Sequence, residues 1–183
     1  MTVKDVILAA AEGIGIQEKV KAFAESGSSE GKKETEILVQ CFNRVENEVA
    51  LDFLPLYVED ETECVGGKVS YASLSKKAVR ILQVTQNGER IKFRLFPDYL
   101  EIAASGFVKV FYSYAPEKKK LNDESDFKTL VSDRTFADGV AAEYCLATGL
   151  FEEAQIWDKK YKDSLCAAYK PKASKVASVR RWV

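Results

Sequence analysis

The spacing of apolar residues changes period twice along this chain, and that change constrains the fold more than any single motif. From Lys32 to Phe53 the apolar positions Leu38, Cys41, Phe42, Val45, Val49 and Phe53 recur at intervals of three and four, the signature of one helical stripe. Glu36, Gln40, Asn43, Arg44, Glu46 and Asn47 fall on the other faces. From about Leu56 to Ala115 the period drops to two, and Val, Ile, Tyr and Phe dominate short runs separated by turn residues. From Ser132 the helical period returns. Helices grouped apart from strands predict an α+β class. The expected architecture is a mainly helical core, a helix bundle closed by a C-terminal αα-hairpin. A mid-chain antiparallel β insertion and an extended C-terminal arm complete it. The expected boundaries are residues 1–55 for the first helices, 56–115 for the β-rich insertion, 116–169 for the closing hairpin and 170–183 for a basic arm.

Local signals mark the element ends. Thr2 is placed to cap a first helix reaching Ala11, with Asp5 at the capping-box position. Gly13 and Gly15 break it, and a second helix is predicted from Gln17 to Ala24. The stretch from Glu25 to Gly31 reads as a flexible linker by composition. Pro55 ends the long helix, because the residue before proline avoids helical dihedrals. Strands are predicted at Leu56 to Val65, at Lys68 to Tyr71, and around Val79 to Val84, the last read as well buried. Asn87-Gly88 is a strong hairpin signal, since both positions tolerate positive φ. Glu89 to Phe96 then alternates, with Ile91, Phe93 and Leu95 on one face. Phe107 to Tyr114 alternates with apolar residues on both faces, which predicts a central or interfacial strand. Pro116 to Asp126 reads as a charged surface connection. Ser132 or Asp133 can cap a helix to Thr148 with Phe136, Val140, Tyr144 and Ala147 inward, and Gly149 stands at its C′ position. A last helix from Phe151 to Ala168 turns Phe151, Ala154, Trp157, Tyr161 and Leu165 inward.

Composition narrows the function. The 183 residues fit one domain or one with a sizeable insertion, large enough to bury a core without disulfides or metals. No apolar run is long enough to cross a bilayer, and Met1 to Asp5 lacks the layout of a secretion signal. A soluble protein of intracellular origin, with no membrane partner, is the expectation. The net charge of −1 gives no long-range pull on nucleic acid as a whole. The chain has no histidine, which removes the usual general base, the commonest metal ligand and any Ser-His or Cys-His pair. No enzyme activity, no cofactor and no metal are expected. Cys41, Cys64, Cys145 and Cys166 form no CxxC pair and read as unpaired, reduced thiols.

Each remaining motif has a plainer alternative. Gly13-Ile14-Gly15 follows a helix rather than a strand and lacks the third glycine of a nucleotide loop, so it reads as a helix break. Glu152, Glu153 and Asp158 read as a solvated helix face near a helix start. The run Glu59-Asp60-Glu61-Thr62-Glu63 could meet a hard cation but lacks the EF-hand order, and a charged edge strand that discourages unwanted pairing fits better. After Asp163 there is no acidic side chain, yet Lys170, Lys172, Lys175, Arg180 and Arg181 follow, with Trp182 beside them. That segment admits three readings: a phosphate-binding arm with Trp182 stacking on a base, a solubilising end, or an arm that inserts into a partner.

Two stretches carry a resemblance. One runs Gln40-Cys41-Phe42-Asn43-Arg44-Val45-Glu46-Asn47-Glu48-Val49-Ala50. The other runs from Arg134 through Phe136, Gly139, Tyr144 and Gly149 to Ala154, continuing through Trp157 and Tyr161. Together they resemble head–tail connector (adaptor) proteins of bacteriophages and prophages. The resemblance implies a virion structural protein made in the bacterial cytoplasm. It would form a ring of identical subunits, commonly twelve, between the portal protein and the tail proteins, with DNA passing through without specific binding. It implies no catalytic residues. The C-terminal arm, Lys170, Lys172, Lys175, Arg180, Arg181 and Trp182, would contact the portal or a neighbour. Ring subunits meet head to tail, and exposed aromatics of the β region, Phe111, Tyr112 and Tyr114, are the expected subunit interface. The alternative function is a non-catalytic nucleic-acid-binding or regulatory module that uses the basic tail.

Overall fold

The computed structural model describes residues 1–169. The described residues divide into two compact units, one made of Met1–Val45 with residues 119–169, the other of Glu46–Lys118. The expectation of a mainly helical core carrying a β insertion is corrected here. The described residues hold five helices and seven strands in two antiparallel sheets, 47% helical and 25% strand, with the helices at the termini and a sheet-rich region between them. The reason is physical: the central region folds into two sheets that bury their own core, so its apolar face is covered from within. The arm expected at 170–183 lies outside the described residues.

The helical unit contains α1 (Val3–Gly13), α2 (Gln17–Ser26), the first part of α3 (Lys32–Glu48), α4 (Asp133–Thr148) and α5 (Phe151–Ala168). Thr2 caps α1, its side chain accepting from the Asp5 N–H. Ser132 caps α4 in the same way through the Thr135 N–H, and Gly149 ends α4 in the left-handed region. The Leu150 N–H then reaches the Cys145 carbonyl, a Schellman ending that turns the chain into α5. Gly139 lets the two helices close up: a Cβ there would stand 3.0 Å from Tyr161 and from Val45. Lys160 of α5 is paired with the buried Asp138 of α4 at 2.7 Å. Phe42, Phe127 and Phe136 meet in the core, with ring centroids 5.7 Å and 5.6 Å apart for the two pairs that share Phe136. Burial pushes the Cys41 thiol up to about 11, and the Glu143 carboxylate adds to the effect, so Cys41 behaves as a small buried hydrophobe.

Three segments of this unit differ from expectation. The supposed flexible linker ends in Gly31, which is buried, has φ +78° and comes close against the Lys19 backbone. The charged connection before α4 is tied down at several points: Val3 donates to the Asp123 carbonyl and Ser125 to the Met1 carbonyl. Asn43 grips Lys119 both ways, accepting from its N–H at 2.6 Å and donating to its carbonyl at 3.0 Å. Ala147 and Phe151, expected inward, are exposed.

The second unit begins on the last residues of α3, which widens into a π turn at Val49–Phe53 before Pro55. Its larger sheet has the order β1-β7-β3-β4, from β1 (Leu56–Cys64), β3 (Ala78–Gln86), β4 (Glu89–Ile91) and β7 (Gly106–Tyr114). Its smaller sheet has the order β2-β6-β5, from β2 (Lys68–Ser70), β5 (Phe93–Leu95) and β6 (Tyr99–Ile102). Val84, Val108, Val110 and Tyr112 from the first sheet and Val69, Leu100 and Ile102 from the second fill one shared core. Asn87 and Gly88, at φ 52° and 84°, close the β3–β4 hairpin. Two corrections follow from sheet geometry. Glu89 to Phe96 is not one strand, because the chain leaves the first sheet at Ile91 and joins the second at Phe93. The strand around Val79 is not buried on both faces either. Register shifts at Ala78/Arg80 and Ile81/Gln83 make Val79 and Leu82 the extra residues, both exposed, while Ile81 and Val84 stay inside.

Candidate interaction surface

β7 lies between β1 and β3, so one of its faces must pack inward and the other is free to meet something else. Along β1 the inward positions are Leu56, Val58, Asp60, Thr62 and Cys64, and Tyr57, Glu59, Glu61 and Glu63 point the other way, all four exposed. The register sets Glu59 opposite Phe111, Glu61 opposite Lys109 and Glu63 opposite Phe107. The outer face therefore combines three aromatics with a row of carboxylates. Tyr57 and Phe111 stack at 5.6 Å between centroids. Phe107 is 67% exposed, a large apolar side chain left in water. Lys109 reaches Glu59 at 3.4 Å, a surface pair worth little by itself. β1 is the edge of this sheet: among the described residues no strand pairs with its far side.

The three residues expected at a subunit interface separate. Phe111 belongs to this outer face and is half-buried under Tyr57. Tyr114 is half-buried against the core cluster. Tyr112 is fully buried, which removes it from any surface role and corrects the expectation that it is exposed. Alternation along the strand already placed Tyr112 opposite Phe111, so the two could not share a surface. Tyr57 and Phe107 went unnoticed. Their signal was the period-two pattern that puts Tyr57 in line with the glutamates and Phe107 in line with Phe111. Lys170, Lys172, Lys175, Arg180, Arg181 and Trp182 lie outside the described residues.

The acidic run is divided by the same alternation. Asp60 alone turns inward, where it accepts from the Tyr112 hydroxyl at 2.6 Å, the Ser75 N–H at 2.7 Å and the Ser75 hydroxyl at 2.8 Å. Partial burial pushes its carboxyl up, but these three donors outweigh that and hold it below the ordinary carboxylate value. A depressed folded value stabilises the fold above the unfolded value of about 3.9 and is lost as pH falls through the folded one. Below about pH 4 the thermal midpoint of the wild type is expected to fall toward that of Asp60→Asn. Melts followed by circular dichroism from pH 7 to 2 check this, and a constant gap between the two proteins counts against it.

The described clefts offer a different chemistry. One of about 620 Å³ is lined by Gly66, Gly67, Lys92, Phe93, Arg94 and Glu101, among others. Its Arg94 and Glu101 are 3.8 Å apart and face each other. Among the described residues no group of three or more His, Cys, Asp or Glu side chains could hold a metal ion. No described helix is long and apolar enough to cross a membrane. A second exposed apolar region belongs to the helical unit, where Leu146, Leu150 and Phe151 cluster in sequence at the α4–α5 turn. Compared with protein-family models and with curated proteins, the sequence matches none.

Proposed function

We propose that this chain is a non-catalytic assembly subunit of the head–tail connector type, a ring component placed between a portal and a tail in the virion. The observation that carries the reading is the outer face of the β1-β7-β3-β4 sheet. It exposes Tyr57 and Phe107 beside an edge strand, the kind of surface a ring subunit offers to its neighbour. Covering one such aromatic contributes on the order of 1.5–3 kcal/mol, so a few of them can drive association. The stretches that resemble connectors support the same reading; the first runs along α3 into the π turn at Val49–Phe53 and the second spans the packed α4–α5 hairpin. In this reading the ring, twelve subunits by the resemblance, lets DNA pass without specific binding and requires no cofactor.

The test is the solution mass of the purified chain by light scattering across a concentration series, alone and with the portal protein from the same genome. A discrete ring-sized mass, alone or on the portal, is the expected result. A monomer under both conditions, with no portal retained, overturns the proposal.

A further inference from the structure

We propose that the outer face of the smaller sheet binds single-stranded nucleic acid, DNA or RNA, by stacking a base on Phe96 and seating the adjoining phosphates against Arg94 and Lys92. The inference goes beyond the assembly reading above, does not rest on it, and concerns a different sheet.

Alternation separates the two faces of this sheet. Leu100 and Ile102 are buried in the shared core, so Tyr99 and Glu101 lie on the other side of β6. The register sets Lys68 of β2 and Arg94 of β5 on either side of Glu101. At the next outward position Phe96, just past β5, stacks on Tyr99, with ring centroids 4.8 Å apart and planes 9° from parallel. The Lys68 ammonium lies over the Tyr99 ring at 4.8 Å. Lys68 comes from the β2 side of β6 and Phe96 from the β5 side, so the two flank Tyr99 and Phe96 ends the column. Phe96 is 37% exposed. A planar base laid on it extends the column by one ring, the contact that holds single strands on sheet surfaces.

Charge supplies the second half of the site. Arg94 and Lys92 precede Phe96 at intervals of two residues, about 7 Å each along an extended chain, and both are exposed. Both line the cleft of about 620 Å³, together with Gly66 and Gly67. Those glycines turn β1 into β2 at φ 60° and 76° and add no side chain, so a ligand can approach the backbone there. Glu101 also lines the cleft and opposes an anion. Its pair with Arg94 spans 3.8 Å between side chains 83% and 44% exposed, a weak contact that a phosphate can displace. An acidic protein segment would satisfy the cations but leave the Phe96 ring bare, whereas a nucleotide uses both. Stacking and phosphate contacts of this kind read no base sequence.

The test is fluorescence anisotropy of labelled oligo(dT) and oligo(U) titrated with the full-length chain, with poly-glutamate as a competitor. The wild type is expected to bind at least one of the two strands, the tighter of them naming the source. K92A/R94A and F96A are each expected to weaken binding about tenfold, through lost phosphate contacts and a lost stack respectively. E101Q is expected to tighten it, since it removes a carboxylate from the phosphate path and releases Arg94. On an abasic strand, which keeps its phosphates and has no base to stack, F96A is expected to bind as the wild type does. Circular dichroism melts check that the variants, all at exposed or half-buried positions, keep the fold. Failure to bind either strand overturns the proposal. Wild-type binding by both K92A/R94A and F96A overturns it too, since a strand held by the basic residues 170–183 gives that pattern. Displacement by poly-glutamate with no effect of F96A also overturns it, as the pattern of an acidic protein partner. Light scattering decides the ring reading separately.

Discussion

Gly31→Ala is expected to destabilise the helical unit by about 3 kcal/mol or more. Two costs combine. Gly31 sits at φ +78°, where a residue with a Cβ pays about 1–2 kcal/mol. A Cβ there would also stand 2.0 Å from the Lys19 carbonyl oxygen and 2.5 Å from its carbon, backbone atoms that no rotamer change can move. Relief requires shifting α2 against the start of α3, where Gly31 accepts the Thr35 N–H at 2.9 Å and the Thr35 hydroxyl at 2.8 Å. Gly27 provides the control. It has φ +67° with nothing within 4 Å of its Cβ position, so Gly27→Ala carries the conformational cost alone, about 1 kcal/mol. Urea melts of both variants by circular dichroism separate the terms. Equal losses would mean that the close approach to Lys19 contributes nothing.

Gly31 also marks the limit of what a single sequence reveals. Features decided by neighbours in the chain were legible: the Thr2 and Ser132 caps, the Gly149 ending, the Asn87-Gly88 hairpin, the central place of Phe107 to Tyr114. Each rests on a few consecutive residues and a fixed geometry. Glycine and serine around Gly31 look like a linker because composition reports freedom, while the reason for Gly31 is a carbonyl twelve residues earlier. Asn43 looked like one more polar residue on a helix, yet it holds Lys119, 76 positions away. The fold class failed for a related reason. Period two continues from Glu89 through Leu95 even though the chain changes sheets at Lys92, so one strand was read where two sheets part. Bulges at Val79 and Leu82 likewise break the link between alternation and burial. At the candidate surface, Phe111 was legible as an outward aromatic. Period two already put Tyr57 in line with the glutamates and Phe107 in line with Phe111, but only the pairing register joins the two strands' outward residues into one surface.

Tyr112→Ala is expected to cost about 3–5 kcal/mol and to unfold or loosen the sheet-rich unit. Tyr112 is among the largest fully buried side chains and lies on the central strand β7, paired with Val58 of β1 on one side and with Ile81 of β3 on the other. Truncation leaves a cavity between the two sheets, where Val84, Val110 and Leu100 share the same core. It also removes the hydroxyl that donates to Asp60 at 2.6 Å and accepts from the Lys76 N–H at 3.1 Å. Tyr112→Phe separates the two contributions, because it keeps the ring and deletes only those bonds. Its expected cost is about 1–2 kcal/mol, the ordinary penalty for leaving polar partners without one of their bonds. Hydrogen exchange read by mass spectrometry assigns the damage to place. Tyr112→Ala should strip protection from 56–64, 78–86 and 106–114, the strands that β7 joins. If exchange in those strands is unchanged and Tyr112→Phe costs as much as Tyr112→Ala, the hydrogen bonds rather than the packing hold the unit together, and the core assignment of Tyr112 is wrong.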